Sequence, residues 1–174
     1  MLLDLSAISG GSVRVERRYP APAFGGGEDY TVRAEVALRF DLHRDATRYH
    51  LVGAVETMLE LACSRCLTPF LLPVACAFDL RYLPHAENTG EGEREVEEDD
   101  LSTAYYRDDT IDLGDLVREQ IDLSLPMKPL CRPDCRGLCP ECGANLNAVT
   151  CACVPRWEDP RLAPLRALLD NRKD

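Results

Sequence analysis

Nine cysteines stand in this chain, and eight of them fall into two groups. The first is Cys63-Ser-Arg-Cys66. The second runs from Cys131 through Cys135, Cys139 and Cys142 to Cys151 and Cys153. A Cys-x-x-Cys turn aims two sulfurs at one point and leaves backbone N–H groups free to donate to them, which makes it half of a zinc site. Cys139-Pro-Glu-Cys142-Gly143 has the further marks of a knuckle. Its proline stiffens the turn, and the glycine permits positive φ just after the second ligand. One such pair is weak evidence; two pairs plus four more cysteines within a short stretch are strong evidence for zinc.

Structural zinc takes four ligands, so eight cysteines suffice for two ions. Two partitions satisfy the spacing. The preferred one sets Cys63 and Cys66 with Cys131 and Cys135, and closes a local ribbon from Cys139, Cys142, Cys151 and Cys153. The other joins Cys131, Cys135, Cys139 and Cys142, leaving Cys63 and Cys66 to Cys151 and Cys153. Four thiolates on one Zn²⁺ leave a net charge of about −2. Arg65, Arg132 and Arg136 lie beside the ligands, placed either to offset that charge or to meet a partner. Cys76, the ninth cysteine, falls on the apolar side of a strand and reads as core.

Catalysis is not expected. A catalytic zinc keeps an open position and usually includes His, Asp or Glu ligands, whereas here thiolates fill every position. His43, His50 and His85 read as solvated. The Cys-x-x-Cys pairs lack the βαβ context of a thiol redox protein, which stays an alternative reading.

The elements that would hold these cysteines are legible from period. Even positions from Tyr30 to Leu42 are apolar, as are odd positions from Tyr49 to Leu61 and even positions from Phe70 to Tyr82. Period two means one buried and one wet face. Three long strands with short connections predict an antiparallel meander, in a barrel-like or strongly twisted sheet. A further strand is expected at Ser12 to Tyr19, a loop at Pro20 to Asp29, and a short strand at Tyr105 and Tyr106. Asp112 is an N-cap for a helix to about Leu125, with Leu113, Leu116, Val117, Gln120, Ile121 and Ser124 on one face. Asp159 and Pro160 open a closing helix with Leu162, Leu165, Leu168 and Leu169, which Trp157 would pack. The fold class is therefore α+β, with one or two short helices. A β domain over residues 1–130 precedes a zinc module with its helix over 131–174.

The chain of 174 residues has a formal charge of −10. Residues 87–100 alone hold eight acidic residues and one basic. This stretch reads as a solvated loop or as an acidic arm for a basic partner. An overall acidic balance disfavours binding of nucleic acid through bulk charge. No signal peptide or membrane span is visible, so a cytoplasmic protein with reduced thiols is expected.

Taken together, the hairpin Cys-x-Arg-Cys, the acidic loop, "IDLGDLVREQIDLSLPMKPLC", "DCRGLCPECGANLN" and the closing "DPRLAPLRALL" resemble the YceD family of large ribosomal RNA subunit accumulation proteins. The resemblance covers roughly residues 30 to 170. It implies a role in 23S rRNA accumulation and large-subunit assembly. The implied partners are a large-subunit precursor, a ribosomal protein or 23S rRNA itself. Arg65, Arg132, Arg136, Arg156 and Arg161 would be the RNA or partner contacts. A zinc-stabilised protein–protein module outside the ribosome is the alternative.

Overall fold

The computed structural model describes residues 1–8, 11–27, 29–87 and 101–154. The chain order is β1 (Leu2–Asp4), β2 (Ser12–Tyr19), β3 (Tyr30–Val32), β4 (Val36–Asp45), β5 (Arg48–Ala62), β6 (Pro69–Pro84), β7 (Thr103–Tyr106), β8 (Thr110–Asp112) and α1 (Leu113–Ser124). Two short 3-10 turns, Ala21–Ala23 and His85–Glu87, lie between them.

The expected meander is the centre of the sheet. β4, β5 and β6 pair antiparallel in sequence order, β2 pairs antiparallel with β4, and β7 runs parallel to β6. The strand order β2-β4-β5-β6-β7 does not return on itself, so the sheet is open and the expectation of a barrel is corrected. β1 and β8 form a separate two-stranded pair. The weak patterning of the first residues concealed it.

The predicted strand over 30–42 is also interrupted. Val32 opposes Leu59 and Ala37 opposes Glu56. Residues 33–36 thus face only 57–58, a bulge in which Arg33 N–H donates to the Met58 carbonyl at 2.8 Å. An insertion of even length keeps the side-chain alternation. Val32 and Val36 are therefore both buried, while Ala34, expected inside, is exposed.

One face of the sheet is buried under α1. Leu38, Leu42, Leu51, Val55 and Leu59 of the sheet and Leu113, Leu116, Val117 and Ile121 of the helix are almost wholly inaccessible and form one cluster. The helix starts where the sequence places its cap: Asp112 Oδ1 accepts from the Gly114 N–H at 2.7 Å. It ends at Ser124, before Pro126. Gly53 sits on the inner face of β5, where a Cβ would lie 2.4 Å from the Phe40 Cβ. Phe40 and Phe78 stand opposite it on the two neighbouring strands, their rings 6.3 Å apart. Cys76 is half-buried against this core, its thiol 3.6 Å from the Val55 carbonyl. Burial pushes that thiol's pKa up.

Candidate metal centres

The β5–β6 connection, residues 63–68, carries the first pair of cysteines. The Cys63 N–H donates to the Thr68 carbonyl at 3.1 Å, and the Leu67 N–H returns to the Cys63 carbonyl at 2.9 Å. Leu67 takes positive φ (58°) to close the turn. After α1 the chain passes this turn, and the Ser64 N–H donates to the Pro129 carbonyl at 2.8 Å. That path brings Cys131 and Cys135 to the hairpin.

The sulfurs gather into two sets. Cys63, Cys66, Cys131 and Cys135 form one, and Cys139, Cys142, Cys151 and Cys153 the other, with every sulfur of a set within 4.8 Å of its fellows. The grouping of Cys63 and Cys66 with Cys151 and Cys153 does not occur. Cys63 Sγ lies 3.7 Å from Cys135 Sγ, and Cys66 Sγ lies 3.7 Å from Cys131 Sγ. A disulfide needs about 2.05 Å. The edge of a tetrahedron with metal–sulfur bonds of about 2.3 Å is about 3.8 Å. The donor set therefore fits a tetrahedral thiophilic ion. The first set is nearly closed to solvent, Cys131 being its most accessible member, and packs with Phe70, Leu130 and Leu138 in a small core of its own. In the second set Cys142 and Cys153 are exposed.

Backbone donors tune the thiols. The pKa of the Cys63 thiol is lowered to about 6, chiefly by the Cys131 N–H and then by those of Cys66 and Arg65, against the opposing effect of burial. The Thr68 hydroxyl and N–H lower Cys66. Cys131 is pushed up to about 12 by burial and by the sulfurs around it. The second set repeats the pattern. The N–H groups of Cys142 and Glu141 bring Cys139 to about 7, while the Cys142 sulfur and burial raise Cys153 to about 12. Each set thus joins a readily ionised thiol to a reluctant one. Four adjacent thiolates repel one another, and a bound dication is what makes full ionisation favourable.

The arginines beside the ligands act mostly within the fold. Arg65 Nη1 donates to the Cys135 carbonyl at 2.8 Å, pinning the tail to the hairpin. Arg132 donates to Asn147 Oδ1 at 2.7 Å and lies 3.6 Å from Asp134. The Arg136 guanidinium is exposed, and its backbone N–H donates to Asn147 Oδ1 at 2.8 Å. Arg156, Arg161, Trp157 and the predicted closing helix lie outside the described residues, as do residues 88–100 of the acidic stretch. Of the histidines expected to be solvated, His50 pairs with Asp79 at 2.6 Å and His85 with Arg107.

Two residues that the sequence reading passed over organise the site. Asn147 accepts from Arg132 and Arg136 and donates to Cys135 Sγ at 3.2 Å. Asn145 reaches across to the Thr68 hydroxyl at 3.2 Å. Both asparagines stand in the NLN that closes the cysteine motif, where no strand or helix period gives them a role. Gly137 takes φ +76°, and a Cβ there would stand 3.1 Å from the Arg65 carbonyl, which receives the Leu138 N–H. The Gly-Leu before Cys139 is therefore what lets the second ribbon lie on the hairpin turn.

Residues 51–169 match the family model described as large ribosomal RNA subunit accumulation protein YceD. A chloroplastic YCED homolog 1 of Zea mays is 28% identical over 159 residues, 78% of this chain and 54% of the maize protein. An uncharacterized protein of Mycobacterium tuberculosis (strain H37Rv) is 38% identical over 128 residues, 71% of this chain and 57% of that one. The uncharacterized YlbN of Bacillus subtilis is 30% identical over 110 residues, 63% of this chain and 59% of its own length. The chain spans little more than half the length of these curated relatives. No solved structure matches it.

Proposed function

The chain belongs to the YceD family, and from that premise we propose that it is a non-catalytic zinc-binding factor that supports 23S rRNA accumulation and large-subunit assembly in the cytoplasm. The observation that carries this reading is the reach of the family match: residues 51–169 run from β5 through both cysteine sets, so all eight clustered cysteines lie within the matched stretch. Zinc suits them because the donors are all thiolates, four to a set, at tetrahedral spacing. Cys63, Cys66, Cys131 and Cys135 would hold one ion and Cys139, Cys142, Cys151 and Cys153 the other. An ion with four protein thiolates has no open position for substrate, so its contribution is folding free energy. The first centre would staple the tail to the sheet; the second would shape the ribbon laid on it. The membrane plays no part in this reading, and no helix among the described residues is long and apolar enough to cross one.

The test is sedimentation combined with an rRNA count. The protein should travel with precursors of the large subunit, and its depletion should lower the ratio of 23S to 16S rRNA. Migration only with free proteins, at an unchanged ratio, would overturn the assignment and favour a protein–protein module outside the ribosome.

Asn147→Leu tests the support of the first centre. It removes the donor to Cys135 Sγ and the acceptor of the Arg136 N–H. Loss of such outer hydrogen bonds costs about 10- to 100-fold in metal affinity. Competition against a chromogenic chelator should show that loss at one of the two ions. Indistinguishable affinities would reduce Asn147 to a loop residue.

A further inference from the structure

One long edge of the sheet is open, and the register of β6 fixes which groups it presents. The Cys63 N–H donates to the Thr68 carbonyl, continuing the β5–β6 register. Backbone groups point to alternate sides along a strand. The even residues of β6, from Phe70 to Leu80, therefore bond to β5. The odd ones, Leu71, Pro73, Ala75, Ala77 and Asp79, direct their backbone groups to the opposite edge. β7 occupies that edge only from Arg81 to Pro84. Among the described residues no strand pairs there with Leu71 to Asp79, a run of about 27 Å at about 3.4 Å per residue.

The prolines of β6 fit this assignment. Pro69 and Pro73 are both odd, so the N–H that each lacks would have pointed to the open edge and no bond to β5 is lost. They also blunt the edge near the cysteine hairpin against indiscriminate pairing. Ala75, Ala77 and Asp79 remain as a stretch with a donor and an acceptor at each position.

The side chains beside this edge are apolar and incompletely covered. On the outer face Leu71, Pro73, Ala75 and Ala77 are all exposed, Leu71 by 58%. On the inner face Leu51, Val55 and Leu59 of β5 are wholly buried. The residues opposite them on β6, Leu80, Cys76 and Leu72, are only partly so. One more strand beside β6 would cover both rows at once.

A second copy of this chain does not fit that place. If two β6 strands paired antiparallel about Cys76, Leu71 of the copy would fall opposite Arg81, where Thr103 of β7 already stands. Moving the axis toward Pro69 sets Pro73, which has no N–H to give, against Ala75 or Ala77. Two chains of charge −10 also repel each other, whereas the same charge attracts a basic segment. Carboxylates flank the strand on both faces. Asp79 stands on the outer one, paired with His50. On the inner one, burial and then the charges of Glu119 and Asp115 push the Tyr82 phenol up to about 12.

We propose that the β6 edge from Leu71 to Asp79 binds an extended basic peptide segment of another protein as an added strand, with apolar side chains of that segment over Leu72, Cys76 and Leu80. Main-chain hydrogen bonds would give such a complex its affinity, and the alternating side chains its selectivity. The proposal goes beyond the rRNA assignment and does not rest on it.

The test is residue-resolved amide hydrogen exchange on the full, zinc-loaded chain, with a ten-residue peptide of alternating lysine and valine as the probe. In the free chain the amides of Ala75, Ala77 and Asp79 should exchange fast, and those of Val74, Cys76 and Phe78 slowly. Peptide at ten times its Kd should slow the odd set about tenfold and leave the even set unchanged. Ala77→Pro removes an edge donor and should weaken peptide binding about tenfold, with zinc content and melting temperature retained. If that variant misfolds, the same peptide N-methylated at alternate residues carries the test on the wild type, and it should not bind. Absence of protection by the peptide would overturn the proposal, as would equal binding by the folded variant, the methylated peptide or a glutamate–valine peptide. So would odd amides already slow in the free chain. Slowness at every concentration would mean that a segment of the same chain covers the edge, and slowness that grows with concentration would mean a second copy.

Discussion

Cys63→Ser/Cys66→Ser is expected to halve the zinc content of the protein and to free its tail from the sheet. Two of four thiolates would be gone from the buried set, and Cys131 and Cys135 alone do not make a closed site. Structural zinc supplies on the order of 10 kcal/mol of folding free energy, against which the remaining ties are small. Those ties are a few hydrogen bonds: Ser64 to Pro129, Arg65 to Cys135, Leu138 to Arg65, and Asn145 to Thr68. Each is worth about 1 kcal/mol net, which is little against the entropy of ordering some twenty residues. Limited proteolysis should cut between Pro129 and Leu138 in the variant and spare the wild type, while the sheet stays folded. Protection equal to wild type would mean that the hairpin cysteines do not staple the tail.

Leu51→Ala should do the reverse. Leu51 is fully buried near the start of β5, in the cluster that joins sheet and α1. Truncation removes its transfer energy and leaves a cavity, for an expected loss of about 2 to 5 kcal/mol. The sulfur cluster packs with a separate set of side chains, so zinc content should remain at two. Chemical denaturation followed by tryptophan-independent circular dichroism would measure the loss. A variant of unchanged stability would contradict the account of a single main core. A variant stripped of zinc would contradict the separation of the two clusters.

The sheet was legible where one face is buried and the register is unbroken. Odd positions of β5 and even positions of β6 read correctly because each inward side chain meets the same core. The bulge before Val36 left no mark, since an even insertion preserves the alternation on both sides. Closure could not be read either: alternation fixes which face is inside, but leaves open whether β2 and β7 meet. β1 and β8, of three residues each, are too short for a period.

At the candidate centres, cysteine spacing indicated metal and left two groupings open. What selects between them in space is the path after α1, held by the Pro129 and Arg65 contacts, and those are tertiary facts. Asn145 and Asn147 were invisible for a related reason. A loop asparagine ordinarily serves its own turn, and only the fold brings Asn147 to Cys135 Sγ.

The most direct test is zinc K-edge absorption spectroscopy on the metal-replete wild type, with the zinc-to-protein ratio measured on the same sample. The account predicts two zincs per chain, each with four sulfurs at about 2.3 Å. A ratio of one or less, or a mean shell containing nitrogen or oxygen donors, would contradict it.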